Sequence, residues 1–301
     1  MIAIRRRLWR VPALCRQLSW GGGGGARLTR AASGDIPQPK EPIRLVSPPS
    51  AAEFIQFSDA FVDGGYDTGD IFLHPEFISD AEHELLASSC DKKLRRLASA
   101  YEMGHFDKRI SNYRECSVSA WLPHSRGIAA RVASATGGRV DPDPVELPDR
   151  PAAGKSSGWT TVGKHDGQIR HILERVWGQL PADLAWLPPH ILDLHPDGEI
   201  LPHVDNPDYS GFVVGGLCLL GPAVSTFKHV EDPRVRVDVM LPPRALYFMT
   251  GRIRYQFTHE ITTRTEQRVW RGQPVPRARR ISLMFRDARE PDGGWASLAQ
   301  S

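Results

Sequence analysis

From residue 188 onward, Gly and Pro cut the chain into short apolar runs, PPHILDL, FVVGGLCLL, VRVDVML, ALYFMT, RYQFTHEI and RISLMFR. This spacing restricts the fold more than any other feature. Runs of that length between turn formers are strands, and several in succession need a second layer over their apolar face. The upstream stretch HPEFISDAEHELLASSCDKKLRRL supplies one. Ser79-x-x-Glu82 is a capping box, Leu86, Cys90, Leu94 and Leu97 share a helical face, and the closing lysines and arginines suit a helix C-terminus. Further helices are predicted over 125–135 and 168–177. Helices first and strands afterwards define an α+β chain, a β-sandwich or jelly roll (double-stranded β-helix) buttressed by N-terminal helices.

The apolar run FVVGGLCLLGP (212–222) is about half of the roughly 18 to 20 residues that a membrane span needs, so it reads as a buried strand and no span is expected. The first 34 residues hold seven arginines and no acid, with Ile, Leu, Trp and Val interspersed. That is the composition of a mitochondrial transit peptide rather than of a lysine-rich arm for nucleic acid, and it predicts residence in the mitochondrial matrix. Without those arginines the formal charge of +3 becomes −4, from 31 basic and 35 acidic residues. The prolines and glycines between 35 and 70 suggest a flexible linker, and 71–292 the folded domain. Within it, 139–167 (containing DPDPVELPDRPAAGKSSG) reads as a disordered insertion, and 293–301 as a tail. Four cysteines without CxxC spacing indicate neither a zinc knuckle nor a disulfide framework. No feature of the sequence specifies an oligomeric state.

Residues i and i+2 of a strand share a face, so His203 and Asp205 in LPHVDNPD can approach one ion. In RYQFTHEI the same rule places Tyr255, Phe257 and His259 inward and Gln256, Thr258 and Glu260 outward. Two histidines and a carboxylate on adjacent strands make the facial triad that suits non-haem Fe(II) and leaves positions open for cosubstrate and O2. In RISLMFR, Arg280, Ser282, Met284 and Arg286 share the face opposite Ile281, Leu283 and Phe285. Two inward arginines without a nearby acid need an anion, which a dicarboxylate provides through bidentate pairing. Each feature alone has an ordinary reading, as a surface hydrogen bond, a core histidine or a structural ion pair; it is their order and strand faces together that indicate a metal site. His190 and His195 lack a carboxylate at the right register and receive no ligand role.

LDLHPDGEILPHVD, ALYFMTGRIRYQFTHEI and RARRISLMFR together resemble the AlkB-like 2-oxoglutarate- and Fe(II)-dependent dioxygenases, most closely their mitochondrial branch. YEMGHFDKRISNYRE extends the resemblance, which covers about 71–290 apart from the insertion. It implies that His203, Asp205 and His259 are iron ligands, with Arg280 at the distal carboxylate of 2-oxoglutarate and Arg286 and Tyr247 completing that pocket. It also implies O2 as the second cosubstrate. Where nucleic-acid repair members carry Asn-x-Tyr, this chain has Leu192-Asp193-Leu194. No basic, aromatic-studded segment resembles their nucleotide-recognition lid. The expectation is a dioxygenase that hydroxylates a protein side chain, in a branch linked with fatty-acid metabolism and necrotic cell death. The alternatives are a mitochondrial RNA N-demethylase and a low-turnover, metal-bound binding module.

Overall fold

The structure, a computed structural model, describes residues 37–40, 42–104, 108–137, 163–292, 294 and 296. The chain runs β1 (Ile55–Phe57), α1 (Asp59–Asp63), β2 (Ile71–His74), α2 (Asp80–Leu97), β3 (Ile110–Ser117), α3 (Ile128–Thr136), α4 (Asp166–Trp177) and β4 (His190–His203). It continues with β5 (Ser210–Cys218), β6 (Ala223–His229), β7 (Arg236–Leu241), β8 (Leu246–Met249), α5 (Gly251–Gln256), β9 (Phe257–Ile261), β10 (Val269–Trp270), β11 (Gln273–Pro274) and β12 (Arg280–Ala288). One antiparallel sheet has the order β1-β7-β6-β9-β4-β12-β5-β8-β2, with β3 on β4.

That sheet curls because β4 serves two halves of it. Its first residues pair with β12, from Met284↔His190 to Arg280↔Leu194, and its last pair with β9, at Ile200↔Ile261 and His203↔His259. Between them, at Pro196–Gly198, the strand runs close against β3. There a Cβ on Gly198 would collide with the β3 carbonyls of Ser111 and Asn112. The result is a half-barrel, the jelly-roll architecture of an α+β chain.

Alternation along the strands builds two cores. Ile281, Leu283 and Phe285 of β12 join Leu86, Cys90 and Leu94 of α2 and Ile169, Leu173 and Trp177 of α4 beneath the helical layer. Met284 joins Leu192, Leu194, Cys218 and Tyr247 on the concave side. Helix α2 carries the expected capping box, with Ser79 Oγ accepting from Glu82 N (3.3 Å) and Glu82 Oε2 from Ser79 N (2.9 Å). Leu97, at its last turn, is exposed rather than on the buried face.

Asp193 fastens α2 to the sheet. Its carboxylate, 0% exposed, accepts from Arg114 Nε (2.7 Å), Arg279 Nε (2.9 Å) and Tyr101 Oη (3.2 Å), while Arg279 Nη2 also reaches Asp91 on α2. Asp193→Ala takes its close carboxylate partner from the buried Arg114 and leaves Arg279 with Asp91, so it is expected to cost about 3 kcal/mol in urea denaturation. A loss below about 1 kcal/mol would show that the network does not hold the helix on the sheet.

Three expectations are corrected. Residues 35–70 are not a plain linker, since β1 pairs with β7, and Phe61 of α1 is fully buried against Phe57, Tyr66 and Phe257. Ser58 caps α1 through Phe61 N (3.2 Å) and ties it to the sheet through the Arg234 carbonyl (2.8 Å). The insertion expected over 139–167 is shorter at its end: Asp166 opens α4, and its carboxylate accepts from Trp121 Nε1 (2.8 Å) and Lys93 Nζ (3.3 Å). Residues 139–162, the transit segment 1–34 and most of the tail lie outside the described residues. RYQFTHEI is half helix: Arg254, Tyr255 and Gln256 belong to α5, and the strand starts at Phe257. Gly251 there has φ +48°, and Asp70 Oδ2 accepts from Arg252 N (2.7 Å), which turns the chain into a helix before β9.

Candidate active site

The end of β4 lies beside the middle of β9, and their antiparallel pairing sets His203 opposite His259 with ring centroids 4.3 Å apart. Asp205 is not on the strand, as its spacing suggested; it lies two residues past the end of β4, in the loop that leads to β5. The loop turns back on Asn206, whose side chain accepts from Asp208 N (2.8 Å) and whose carbonyl accepts from Ser210 N (3.0 Å). That turn brings Asp205 Oδ1 to 3.5 Å from His203 Nε2. His203, Asp205 and His259 each offer a ligand atom within 4.8 Å of the others, the one such group among the described residues.

Asp205 and His259 suit a cation as they stand, while at His203 burial pushes the ring down but Asp205 outweighs it and raises the pKa, so an ion at Nε2 takes the place of a proton. His203 Nδ1 lies 2.9 Å from the Leu201 carbonyl, so it carries the hydrogen and leaves Nε2 as the electron-pair donor. Burial pushes the Asp205 carboxyl up, but Arg286 (Nε to Oδ2, 3.7 Å), then His203 and His259, outweigh it and hold the acid well below its usual range. Burial, followed by the neighbouring His203, pulls His259 down to about 3, so its ring is neutral. Among the described residues Asp205 Oδ2 and His259 Nδ1 are buried without hydrogen-bond partners, which fits a site that takes an ion. Two imidazoles and one carboxylate form the donor set that fits Fe(II).

Arg280 and Arg286 share one face of β12, as alternation predicts. Arg280 is 3% exposed, and among the described residues it donates only to Ser282 Oγ (2.7 Å) and Cys218 Sγ (3.5 Å), while its Nε has no partner there. A buried guanidinium without a carboxylate among the described residues calls for an anion. Tyr247 stands on the same inner face, with its hydroxyl 3.9 Å from Met284 Sδ. Burial pushes its phenol up to about 12, which keeps it a donor. Gly216 makes room, because a Cβ there would press on both Tyr247 and Met284. His195 contacts Asp197 and packs against Tyr101, away from the triad.

Sequence reasoning missed Arg254. It is 0% exposed on α5, and its guanidinium donates to the carbonyls of Asp205 (2.8 Å) and Ser210 (3.1 Å), clamping both ends of the loop that carries the aspartate. The turn signal Thr250-Gly251 just upstream was the one available hint.

Fold and site together define a dioxygenase that uses Fe(II), 2-oxoglutarate and O2. The chain belongs to the AlkB-like family of these enzymes. It is 31% identical over 244 residues to the mitochondrial alpha-ketoglutarate-dependent dioxygenase alkB homolog 7 of Mus musculus, a match spanning 81% of this chain and 90% of the mouse protein. The Bos taurus homologue is 31% identical over 221 residues, 73% of this chain and 80% of the bovine one. Both relatives are named as mitochondrial, which agrees with the arginine-rich start of this chain. No family model matches. Among solved structures, OsALKBH1 is similar at 15% identity and TM-score 0.42, covering 73% of this chain and 98% of that one. A Pseudomonas putida prolyl-4-hydroxylase is similar at 13% identity and TM-score 0.40, covering 77% and 98%.

Proposed function

We propose that His203, Asp205 and His259 bind the Fe(II), that Arg280 holds the distal carboxylate of 2-oxoglutarate with Tyr247 and Arg286 beside it, and that the enzyme hydroxylates a protein side chain in the mitochondrial matrix. Residues 1–34 would be the removable transit peptide, and fatty-acid metabolism and necrotic cell death the setting. With the metal bound, 2-oxoglutarate and O2 give succinate and CO2, and one oxygen atom enters a substrate C–H bond. The chain's own tasks are placement and exclusion of water. His203 presents Nε2, Arg286 keeps Asp205 ionised, and Leu192, Leu194 and Met284 make the adjoining wall apolar.

That wall is the observation that carries the choice of substrate. Leu192 and Leu194 lie directly across from Ser282 and Arg280 and are buried in the concave core, and the chain beyond residue 34 carries a formal charge of −4. A polyanion gains little from such a surface. Protein from mitochondria lacking the enzyme, incubated with Fe(II), 2-oxoglutarate and 18O2, should acquire 18O at carbon. Formaldehyde release from methylated mitochondrial RNA without labelled protein would replace this reading with N-demethylation.

The same wall yields a prediction for substrate-free turnover. Oxygen is then expected to enter a C–H bond of Leu192 or Leu194, adding one oxygen to the peptide HILDLHPDGE in mass spectrometry. Succinate formation with that peptide unmodified would show that the leucines do not face the oxidised position.

A further inference from the structure

His190, which sequence reasoning set aside, stands in a polar relay on the inner face. Its Nε2 lies 2.8 Å from Glu115 Oε2 and its Nδ1 3.1 Å from Ser117 Oγ. The partners are on β3, 75 and 73 residues away in sequence. Strand register places the relay in one row with Met284 and Tyr247. Ser117 pairs with His190, His190 with Met284, Met284 with Gly216, and Gly216 with Tyr247. Residues aligned across an antiparallel sheet point to the same side, so this row crosses the concave face. At one end it is closed, with Tyr247 and Met284 buried in the inner core; at the other it is open, with Ser117 exposed. Arg286, two residues beyond Met284 on that face, reaches Asp205.

The chemistry of the relay has a direction. A carboxylate only accepts, so in the neutral imidazole Glu115 fixes the hydrogen on His190 Nε2 and leaves Nδ1 to accept from the Ser117 hydroxyl. The serine hydrogen is thereby committed inward, and its lone pairs face the opening. An exposed polar group of this kind adds little to stability, whereas an acceptor of fixed direction at the open end of this row orients what enters.

We propose that Ser117, His190 and Glu115 form a substrate-docking subsite that accepts a hydrogen bond from an N–H group flanking the carbon to be oxidised. Resting on the protein-hydroxylation reading, that N–H is a backbone amide of the substrate. The three act as positioning residues, with Ser117 in contact and His190 and Glu115 acting through it.

The test uses the full chain loaded with Fe(II) and 2-oxoglutarate, as wild type, Ser117→Ala, Ser117→Thr, Glu115→Gln and His190→Leu. Uncoupled succinate formation and the 2-oxoglutarate concentration for half-maximal rate should stay at wild-type values in all of them. Transfer of 18O from 18O2 into mitochondrial protein should fall about tenfold in His190→Leu and Ser117→Ala, the size of one lost oriented hydrogen bond, and Ser117→Thr should recover most of it. Wild-type labelling in the variants overturns the subsite, as does a parallel fall in uncoupled succinate, which marks a merely structural role. If wild type labels no protein, the protein reading fails, and formaldehyde release from mitochondrial RNA becomes the coupled signal. The same split between wild type and variants then supports the subsite toward a nucleobase N–H. Equal release overturns it, and no coupled product on either substrate overturns both.

Discussion

Arg280→Ala is expected to raise the 2-oxoglutarate concentration needed for half-maximal succinate formation by about 100-fold or more, the cost of leaving a buried carboxylate unpaired. The Fe(II) requirement should stay within about threefold, because the proposed role of Arg280 is toward the cosubstrate and not toward the metal. Arg280 is buried, spends one nitrogen on Ser282 and one on Cys218, and leaves Nε unpartnered. The free protein therefore carries a desolvated cation, and the substitution should not lower thermal stability in the absence of 2-oxoglutarate. Arg280→Lys keeps the charge but loses the planar fork, so its requirement should fall between wild type and Ala. If Arg280→Ala titrates with 2-oxoglutarate like wild type, the anchor lies elsewhere and Arg286 takes its place.

Arg254→Met is expected to weaken binding of Mn(II), used as a stand-in for Fe(II) in calorimetry, by about 10- to 100-fold, the usual cost of removing a group that orients a metal ligand, the role proposed for Asp205. Asp205 lies outside the strand that carries His203, so the β4–β9 pairing cannot fix its position. The Arg254 guanidinium does so by holding the carbonyls of Asp205 and Ser210 together. Methionine keeps much of the buried volume and removes the clamp. Unchanged Mn(II) affinity in a folded variant would mean that the Asn206 turn alone sets the loop.

Much of this arrangement was legible in the sequence, because short-range rules govern it. The period of two along β12 separates Arg280, Ser282 and Met284 from Ile281, Leu283 and Phe285, and the structure keeps that division between the two cores. The Ser79–Glu82 box announces α2 because both hydrogen bonds are local. Positions of other features depend on distant partners. Asp70, 181 residues before Gly251 in sequence, helps make a helical turn of what reads as continuous strand. Phe61 and Ile55 are few among prolines and glycines, and only β7 reveals that they belong to the sheet and core. His190 looked unpartnered for the same reason: its carboxylate is on β3, and register between β3 and β4 cannot be read from either strand alone. Arg254 was passed over because a charged residue in a presumed strand reads as solvated until the packing around it is seen.

The most direct test of the account is succinate formation by the purified chain given Fe(II), ascorbate, 2-oxoglutarate and O2, with His203→Ala as the paired control. The account predicts succinate from wild type that requires both Fe(II) and O2, and none above background from His203→Ala. Equal succinate from both proteins, or none from wild type with its site loaded, would contradict it and leave a metal-bound binding module in its place.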